Sequence, residues 1–294
     1  MRARRSSLSV PGSSERMLSK AGGLPADELV VDLEDSVAAE AKAEARELVA
    51  GVLADGGLTS GTVAVRVNAP DSPWWEGDVV ELVERAGPWI DSLVLPKVES
   101  AEGVRGVERL LGALGERAAA LGLQALVETA GGVQRAGEIA AASPRLEALV
   151  LGYADLAASL GRLPGSDSPE LWLHAQETVL VAARAGGLQA IDGPYLALRD
   201  EDGLRVRSER TRALGFDGKW AVHPDQLPTI NEVFTPSREE FERASAVVAA
   251  LEGAEGRGAV ELDGEMIDEA SRKLALQIVA RGRAAGLTDE AAVR

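Results

Sequence analysis

The feature of this sequence that most limits its fold is the repeated alternation of two kinds of segment. Short stretches rich in Val, Ile and Leu, each followed by polar residues, recur about every 25 to 40 residues, and stretches rich in Ala, Glu and Arg lie between them. Such alternation is typical of a parallel sheet covered by helices. We predict eight strands: Ser7–Val10, Leu29–Leu33, Thr62–Val67, Ser92–Leu95, Leu123–Val127, Ala148–Leu151, Leu188–Ile191 and Lys219–Val222. Eight strand–helix units predict an α/β protein with a (β/α)8 TIM barrel.

Helical patterns occupy the intervals between the predicted strands. They cover Ala38–Leu53, Val79–Ala86, Ala101–Leu121, Arg135–Ala142 and Trp172–Ala185. A chain of 294 residues with 46% hydrophobic residues can bury a large core. Its length fits one barrel better than two ordinary domains.

The pattern changes after Pro236. A long helix (Arg238–Leu251), a glycine-rich connection (Gly253–Gly258) and a last helix beyond Asp268 follow. We predict that residues 1–236 form the TIM-barrel catalytic domain and that residues 237–294 form a C-terminal helical extension. We expect this extension to act as a lid over the active site of its own chain or of a neighbouring chain.

Composition and charge argue against several classes of protein. The formal net charge of −16 argues against nucleic-acid binding, because phosphates require a basic surface. No uninterrupted apolar run reaches about 18 residues, which predicts no membrane-spanning helix, and the basic start lacks the apolar core of a secretory signal. The chain has no cysteine, so a metal would have oxygen or imidazole ligands. We predict a cytoplasmic protein.

Polar side chains follow the predicted strands at the end where a barrel carries its active site. The carboxyl ends of all eight strands face one mouth, so residues there meet although they are far apart in the chain. The polar residues at these ends are Asp32, Glu34, Asp35, Arg66, Asn68, Lys97, Glu128, Asp155, Asp192 and His223. Because alternate residues of a strand point inward, Asp32 and Glu34 share a face, as do Ala64, Arg66 and Asn68.

Two explanations fit this set of charges. Arg66 and Lys97 could form buried salt bridges with the acids, which would be a structural role. Alternatively, Glu128 and Asp155, on adjacent strands, could each give one oxygen to a hard cation such as Mg²⁺, with water and substrate completing the shell. We favour the metal site for the set as a whole. His223, at a strand end, is predicted to line the site, whereas His174, in a helix, is predicted to be a packed or surface residue.

These strand ends also carry a resemblance that spans nearly the whole chain in order. The chain resembles the HpcH/HpaI aldolase and citrate lyase β-subunit family, and most closely its malyl-CoA lyase branch. The matching segments are Leu8–Gly12, Asp32–Val37, Val65–Asn68, Leu95–Lys97, Val127–Ala130, Leu151–Leu156, Ile191–Pro194, Gly218–Pro224, Asp263–Gly264 and Met266–Asp268.

The resemblance implies a Mg²⁺-dependent enzyme that cleaves a 3-hydroxyacyl-CoA such as malyl-CoA or citramalyl-CoA, or forms it in reverse. It implies that Glu128 and Asp155 hold the metal and that Asp35 contacts metal-bound water. Arg66 would stabilise an enolate oxygen near the thioester. Asp268 would be the lid aspartate that moves the proton at the acetyl methyl group, supplied by a neighbouring subunit of a trimer or hexamer. Mn²⁺ is an alternative to Mg²⁺, because both accept oxygen ligands.

The same resemblance implies which residues contact the CoA ester and the oxo acid. These are Ser14, Arg16, Lys20, Arg66, Ala154, Asp155, Val222 and His223. The chain departs from the malyl-CoA lyase branch at Ser9, where that branch has an aromatic residue, and at Ser14, where it has an arginine. Arg16 would replace the missing cation, and Lys20 matches a lysine of the CoA site.

Four other functions remain open from the sequence. A lysine-based aldolase would form a Schiff base at Lys97. A malyl-CoA thioesterase would activate water on the same scaffold, and a citrate lyase β-subunit would act on a thioester of an acyl carrier protein. A non-catalytic CoA-binding protein is the alternative from outside the enzymes, although the converging charges disfavour it.

Overall fold

In a computed structural model, which describes residues 2–56, 58, 61–163, 168–254 and 258–288, eight parallel strands form a closed barrel. Each strand pairs with the next one in the chain, and β8 closes the barrel on β1. The strands are β1 (Ser6–Pro11), β2 (Glu28–Asp32), β3 (Thr62–Arg66), β4 (Ser92–Leu95), β5 (Gly122–Val127), β6 (Leu146–Leu151), β7 (Gln189–Asp192) and β8 (Gly218–Ala221). The predicted TIM barrel is confirmed, with strand ends that differ from the predicted ones by two residues at most.

Helices connect the strands, and further helices come after the last barrel strand in the chain. They are α1 (Glu15–Ala21), α2 (Lys42–Ala54), α3 (Trp75–Ala86), α4 (Ala101–Ala113), α5 (Ala130–Gln134), α6 (Ala136–Ala140), α7 (Tyr153–Ser159), α8 (Pro169–Ala185), α9 (Glu201–Leu214), α10 (Leu227–Phe234), α11 (Arg238–Glu252) and α12 (Glu269–Ala284). The helix predicted at Ala101–Leu121 ends early because Gly115 adopts a positive φ of 67°. Among the described residues, no helix is long and apolar enough to cross a membrane.

The middle of the barrel interior is packed with aliphatic side chains and one tryptophan, and buried Glu28, Ser92 and Gln124 form a polar layer on the same inward faces nearer the amino ends of the strands. Inward-facing residues of seven strands form one buried cluster: Val30, Ala64, Val94, Leu126, Ala148, Val150, Ile191 and Trp220. Their alternation along the strands identifies which neighbouring side chains point outward. A packed interior leaves the carboxyl ends of the strands as the place for chemistry.

The chain divides into two compact units, residues 1–231 and residues 232–294. In the second unit, α11 and α12 pack together with a hairpin of β9 (Ala259–Leu262) and β10 (Glu265–Asp268), around a core that includes Phe241, Ile267 and Val279. Asp263 and Gly264 form the two-residue turn, and both have the positive φ that such tight turns require. The hairpin was not predicted, and residues 255–257 of the predicted glycine-rich connection lie outside the described part of the chain.

Candidate active site

Asp32 and Arg66 form the innermost ion pair of the barrel mouth. They lie opposite each other in the register of β2 and β3. Nε and Nη2 of Arg66 donate to the two carboxylate oxygens of Asp32 at 2.7 Å each, and Asp32 also accepts the backbone N–H groups of Glu34 and Ser36. Burial opposes the charge of Asp32, but the hydrogen bonds from Arg66 hold the pKa of this carboxyl below its ordinary value. This pair therefore keeps Arg66 charged and fixed in orientation.

Two more acids surround the same cations. Glu34 is buried, and its Oε2 lies 2.9 Å from Nη1 of Arg66, as an ion pair without hydrogen-bond geometry. Its Oε1 accepts a short hydrogen bond from Nζ of Lys97. Asp35 is half-exposed, and its two oxygens lie 3.6 Å from Arg66 and from Lys97. Burial raises the pKa of Glu34 despite both cations. The predicted salt bridges thus exist, within one network rather than as isolated pairs.

Glu128 follows β5 and is buried beside this network. Its Oε1 accepts the backbone N–H of Lys97 at 2.8 Å, and Lys97 holds an unusual positive φ of 51° at this position. Burial raises the pKa of Glu128 to about 8; the Lys97 hydrogen bond opposes this shift, and the charge of Asp155 adds to it. A Cβ atom built on Gly152 would lie 2.5 Å from Oε2 of Glu128. The absence of a side chain at residue 152 is what admits the glutamate.

Asp155 lies in the first turn of α7, three residues after Gly152. Its Oδ1 is 3.8 Å from Nζ of Lys97, and its side chain is partly exposed. Glu128 and Asp155 therefore offer carboxylate oxygens near each other. Burial disfavours the ionised form of Glu128, and a hard cation bound here would stabilise that form. No group of three His, Cys, Asp or Glu side chains in metal-binding geometry occurs among the described residues. A metal held here would take its remaining ligands from water and substrate.

Two supporting side chains were not predicted. Nζ of Lys42, on α2, donates to the carbonyl oxygens of Leu33 and Glu34 at 2.9 and 2.7 Å, which fixes the turn that carries the acids. The ring of Trp220 lies 5.9 Å from the guanidinium carbon of Arg66. The strand parity of Trp220 could have identified it, whereas nothing in the sequence around Lys42 distinguishes it from a surface lysine.

The residues assigned to the CoA ester lie mainly in two segments, one that follows β1 and one that follows β8. Arg16 and Lys20 are exposed and one turn apart on α1, so they share a face of this helix. Ser14 is the N-cap of α1, where its hydroxyl accepts the N–H of Met17. A serine is well suited to this cap.

Val222 and His223 follow β8. Val222 is exposed, and His223 is partly exposed. The side-chain oxygen of Gln226 accepts the backbone N–H groups of both residues. Nδ1 of His223 accepts the N–H of Asp225, so this histidine caps the next turn. Ala154, between Tyr153 and Asp155, is exposed on α7.

Asp192 is not where the sequence placed it. Ile191 points into the barrel, so Asp192 points outward, away from the mouth. There it accepts short hydrogen bonds from Nζ of Lys219 and from the hydroxyl of Tyr153. Asp192 was predicted at the mouth because it ends β7, but the alternation of side chains along this strand turns it outward.

Asp268 belongs to the second unit and is the N-cap of α12. Its Oδ1 accepts the N–H groups of Ala270 and Ser271 at 3.0 and 3.1 Å. The hydrogen bond from Ser271 holds the pKa of Asp268 below its ordinary value. The carboxylate is therefore ionised and held in one orientation at the start of the helix.

Comparison with protein families identifies the group to which this site belongs. The model of the family described as HpcH/HpaI aldolase/citrate lyase matches residues 5–224, from the first strand to the turn after the last. The chain belongs to the HpcH/HpaI aldolase/citrate lyase family. The resemblance drawn from the strand ends is confirmed.

Relatives within this family cover the chain almost from end to end. An L-malyl-CoA/beta-methylmalyl-CoA lyase of Cereibacter sphaeroides is 38% identical over 95% of this chain and 94% of its own length. A (3S)-malyl-CoA thioesterase of the same species is 42% identical, over 95% of each chain. Among solved structures, CitE of Mycobacterium tuberculosis in complex with magnesium, acetoacetate and coenzyme A is similar with a TM-score of 0.75 and 32% identity, over 96% of this chain and 98% of that one.

Proposed function

We propose that this protein is a Mg²⁺-dependent CoA-ester lyase that cleaves a 3-hydroxyacyl-CoA such as malyl-CoA or citramalyl-CoA. The products would be acetyl-CoA and glyoxylate or pyruvate, and the reverse condensation would use the same site. The observation that carries the proposal is the meeting of Glu128, Asp155 and Arg66 at one barrel mouth, linked through Lys97 and Glu34. The lyase relative and the magnesium and coenzyme A of the CitE complex support it.

Glu128 and Asp155 are the residues that would hold the metal, Mg²⁺ or Mn²⁺. When bound, the metal supplies Lewis-acid polarisation of the oxo-acid carbonyl. Glu128 is suited to this role because burial outweighs the favourable effects of Lys97 and Arg66 on its carboxylate, and a bound cation would offset the cost of ionising it. Asp35, half-exposed at the edge of the network, would accept a hydrogen bond from a water held by the metal.

Arg66 would stabilise the negative charge that develops on the thioester oxygen when the carbon–carbon bond breaks. Its guanidinium is already oriented by Asp32, so little rearrangement is needed during the reaction. Asp268 would take a proton from the acetyl methyl carbon in condensation, and in cleavage it would pass to that carbon the proton that the 3-hydroxyl group releases. The lid role of the second unit and the sharing of Asp268 between subunits of a homo-oligomer are part of this proposal.

Arg16 and Lys20, exposed together on α1, would bind the phosphates of CoA, with Ser14 beside them. Ala154 and Asp155 would contact the oxo acid, and Val222 and His223 would contact the CoA ester. The protein would act on these small molecules in the cytoplasm.

Hydrolysis of malyl-CoA is the second candidate, because the thioesterase relative is 42% identical over nearly the full length. A Schiff base at Lys97 is disfavoured by the site itself. Burial opposes the charge of Lys97, but the hydrogen bond to Glu34 raises the pKa of this amine above its ordinary value, so it remains an ammonium rather than a nucleophile. Turnover of a carrier-bound thioester alone would indicate citrate lyase β-subunit chemistry, and turnover of none of these thioesters would indicate a non-catalytic CoA-binding role.

The test is chromatography of the products from malyl-CoA and citramalyl-CoA, with Mg²⁺ and with a chelator. We expect metal-dependent release of acetyl-CoA with glyoxylate or pyruvate. Free CoA together with the hydroxy acid would instead identify a thioesterase. Absence of turnover of both free esters, with turnover of a carrier-bound thioester, would identify citrate lyase β-subunit chemistry.

A further inference from the structure

Lys97 follows β4 in a backbone conformation that non-glycine residues rarely adopt. Its φ of 51° lies in the left-handed region, and both ends of the residue are bonded there. The backbone N–H donates to Glu128 at 2.8 Å, and Nζ donates to Glu34 in a short hydrogen bond. Such a conformation costs about 1–3 kcal/mol and persists only where the surrounding contacts impose it. The same contacts therefore fix Glu128 and the position of the Lys97 ammonium.

The ammonium of Lys97 has donors that the protein does not use. It donates a hydrogen bond to Glu34 alone among the described residues. Oδ1 of Asp35 and Oδ1 of Asp155 lie 3.6 and 3.8 Å from Nζ, which is beyond hydrogen-bond distance. The side chain of Lys97 is 35% exposed, so solvent and ligands have access to it. Because an ammonium has three donors, two are open to a ligand that enters the barrel mouth.

The charges around Lys97 indicate which ligand would use these donors. The carboxylates of the network at the mouth belong to Asp32, Glu34, Asp35, Glu128 and Asp155, and its cations are Arg66 and Lys97. An oxo acid brings one more carboxylate, which these acids repel unless a cation accepts it. Arg66 already gives Nε and Nη2 to Asp32, whereas Lys97 has open donors and lies beside Asp155. Lys97 is therefore the better partner for an entering carboxylate.

We propose that Lys97 couples the binding of the metal to the binding of the oxo acid, an inference that rests on the proposed function. Without the oxo acid, the ammonium opposes a divalent cation at Asp155, because like charges at this range repel. With the oxo acid, its carboxylate accepts the open donors of Lys97 and adds negative charge at the mouth. Each ligand then strengthens the binding of the other by the same factor.

The test is titration of the metal-free protein with Mn²⁺, followed by electron paramagnetic resonance, without and with glyoxylate. A protein-free titration corrects for manganese that glyoxylate holds in solution. In the wild type, we expect glyoxylate to lower the Kd for manganese by about tenfold or more. In Lys97→Met, which keeps an unbranched side chain without the charge, manganese should bind at least about threefold more tightly without glyoxylate, and the effect of glyoxylate should fall below about threefold.

Two further variants separate the ammonium from the backbone of residue 97. Lys97→Gly also removes the ammonium, but glycine adopts a positive φ without strain and keeps the N–H for Glu128. It should lose the coupling as Lys97→Met does. Lys273→Met, which removes an exposed lysine of the second unit, should behave as the wild type. Thermal unfolding of each variant checks that it is folded.

The outcomes separate this inference from the proposed function. Weaker manganese binding by Lys97→Met and Lys97→Gly without glyoxylate would overturn the inference, because Lys97 would then support the ligands rather than oppose the metal. An effect of glyoxylate as large in these variants as in the wild type would overturn it too, while the metal site and the lyase proposal stand. A wild type that binds no manganese, or binds it independently of glyoxylate, would overturn the inference together with the proposed site for metal and oxo acid.

Discussion

Asp32 and Arg66 show how one residue pair can stabilise the fold and also present a charge at the barrel mouth. Their two parallel hydrogen bonds satisfy a buried charge pair, and the same contact aims the guanidinium at the barrel mouth. Lys97 likewise pairs with Glu34 while its backbone orients Glu128. The salt bridges that the sequence left open as one explanation are present, and they are compatible with the proposed active site.

Replacement of Asp32 by Asn should destabilise the protein by about 1.5–3 kcal/mol at pH 7, because buried Arg66 loses its two charge-assisted hydrogen bonds to Asp32 and keeps only its ion pairs with Glu34 and Asp35. The folded-state pKa of Asp32 lies below the ordinary value of 3.8, so its stabilisation is complete above that pH and is lost as the pH falls through the lower folded-state pKa. Urea unfolding at pH 7 and at about pH 3 should show a smaller difference between wild type and variant in acid.

The matched control is Asp71→Asn, at an exposed loop position, which should change stability little at either pH. An equal loss for Asp32→Asn at both pH values would contradict the ion-pair explanation.

Replacement of Glu128 by Gln should weaken divalent-ion binding by more than about tenfold, since one of two protein carboxylates is lost. The change also removes the cost of ionising a buried carboxyl, so the metal-free variant should not be less stable near neutral pH. Manganese binding followed by electron paramagnetic resonance measures the first effect. Glu138→Gln, on the exposed side of α6, is the control, and unchanged binding in Glu128→Gln would exclude this glutamate as a ligand.

At the scale of elements, alternation and periodicity were enough to predict the barrel. All eight strands were found because each is a short apolar run that ends in polar residues. Helix α9 was not predicted, since its sequence is rich in Arg and Glu and has few apolar residues to mark a buried face. The carboxylates at the barrel mouth were predictable from strand ends, but Lys42 and Gly152 were not, because their roles depend on how a helix or loop approaches a neighbouring strand.

The entrance to α7 gives a prediction at this scale. Gly152→Ala would place a methyl group 2.5 Å from Oε2 and 2.6 Å from Cβ of Glu128, so the glutamate or the start of α7 must move. We expect metal binding to weaken toward the level of Glu128→Gln. Gly112→Ala, in the last turn of α4 with no atom within 4 Å of the added Cβ, should bind metal normally and gain up to about 1 kcal/mol. Normal metal binding in Gly152→Ala would show that this close approach does not constrain the site.

At the scale of the molecule, the proposed reaction needs groups from both compact units. Glu128, Asp155 and Arg66 belong to the first unit, and Asp268 belongs to the second. Because Asp268 also caps α12, its replacement by Ala would mix a loss of chemistry with a loss of helix stability. Asp268→Asn keeps a good N-cap and is the cleaner variant. We expect it to lose cleavage of malyl-CoA while it binds manganese as the wild type does; full turnover would remove Asp268 from the mechanism.

Mixing two inactive variants tests whether the lid is shared between subunits. Glu128→Gln lacks the metal site and Asp268→Asn lacks the proton carrier, so each homo-oligomer should be inactive. If Asp268 acts on the site of a neighbouring chain, random hybrids from equal co-expression contain intact sites built from one subunit of each kind. About a quarter of all sites would then be complete, and about a quarter of wild-type cleavage should return. If each lid serves its own chain, no hybrid site is complete and the mixture stays inactive, which would leave the oligomer without a catalytic role.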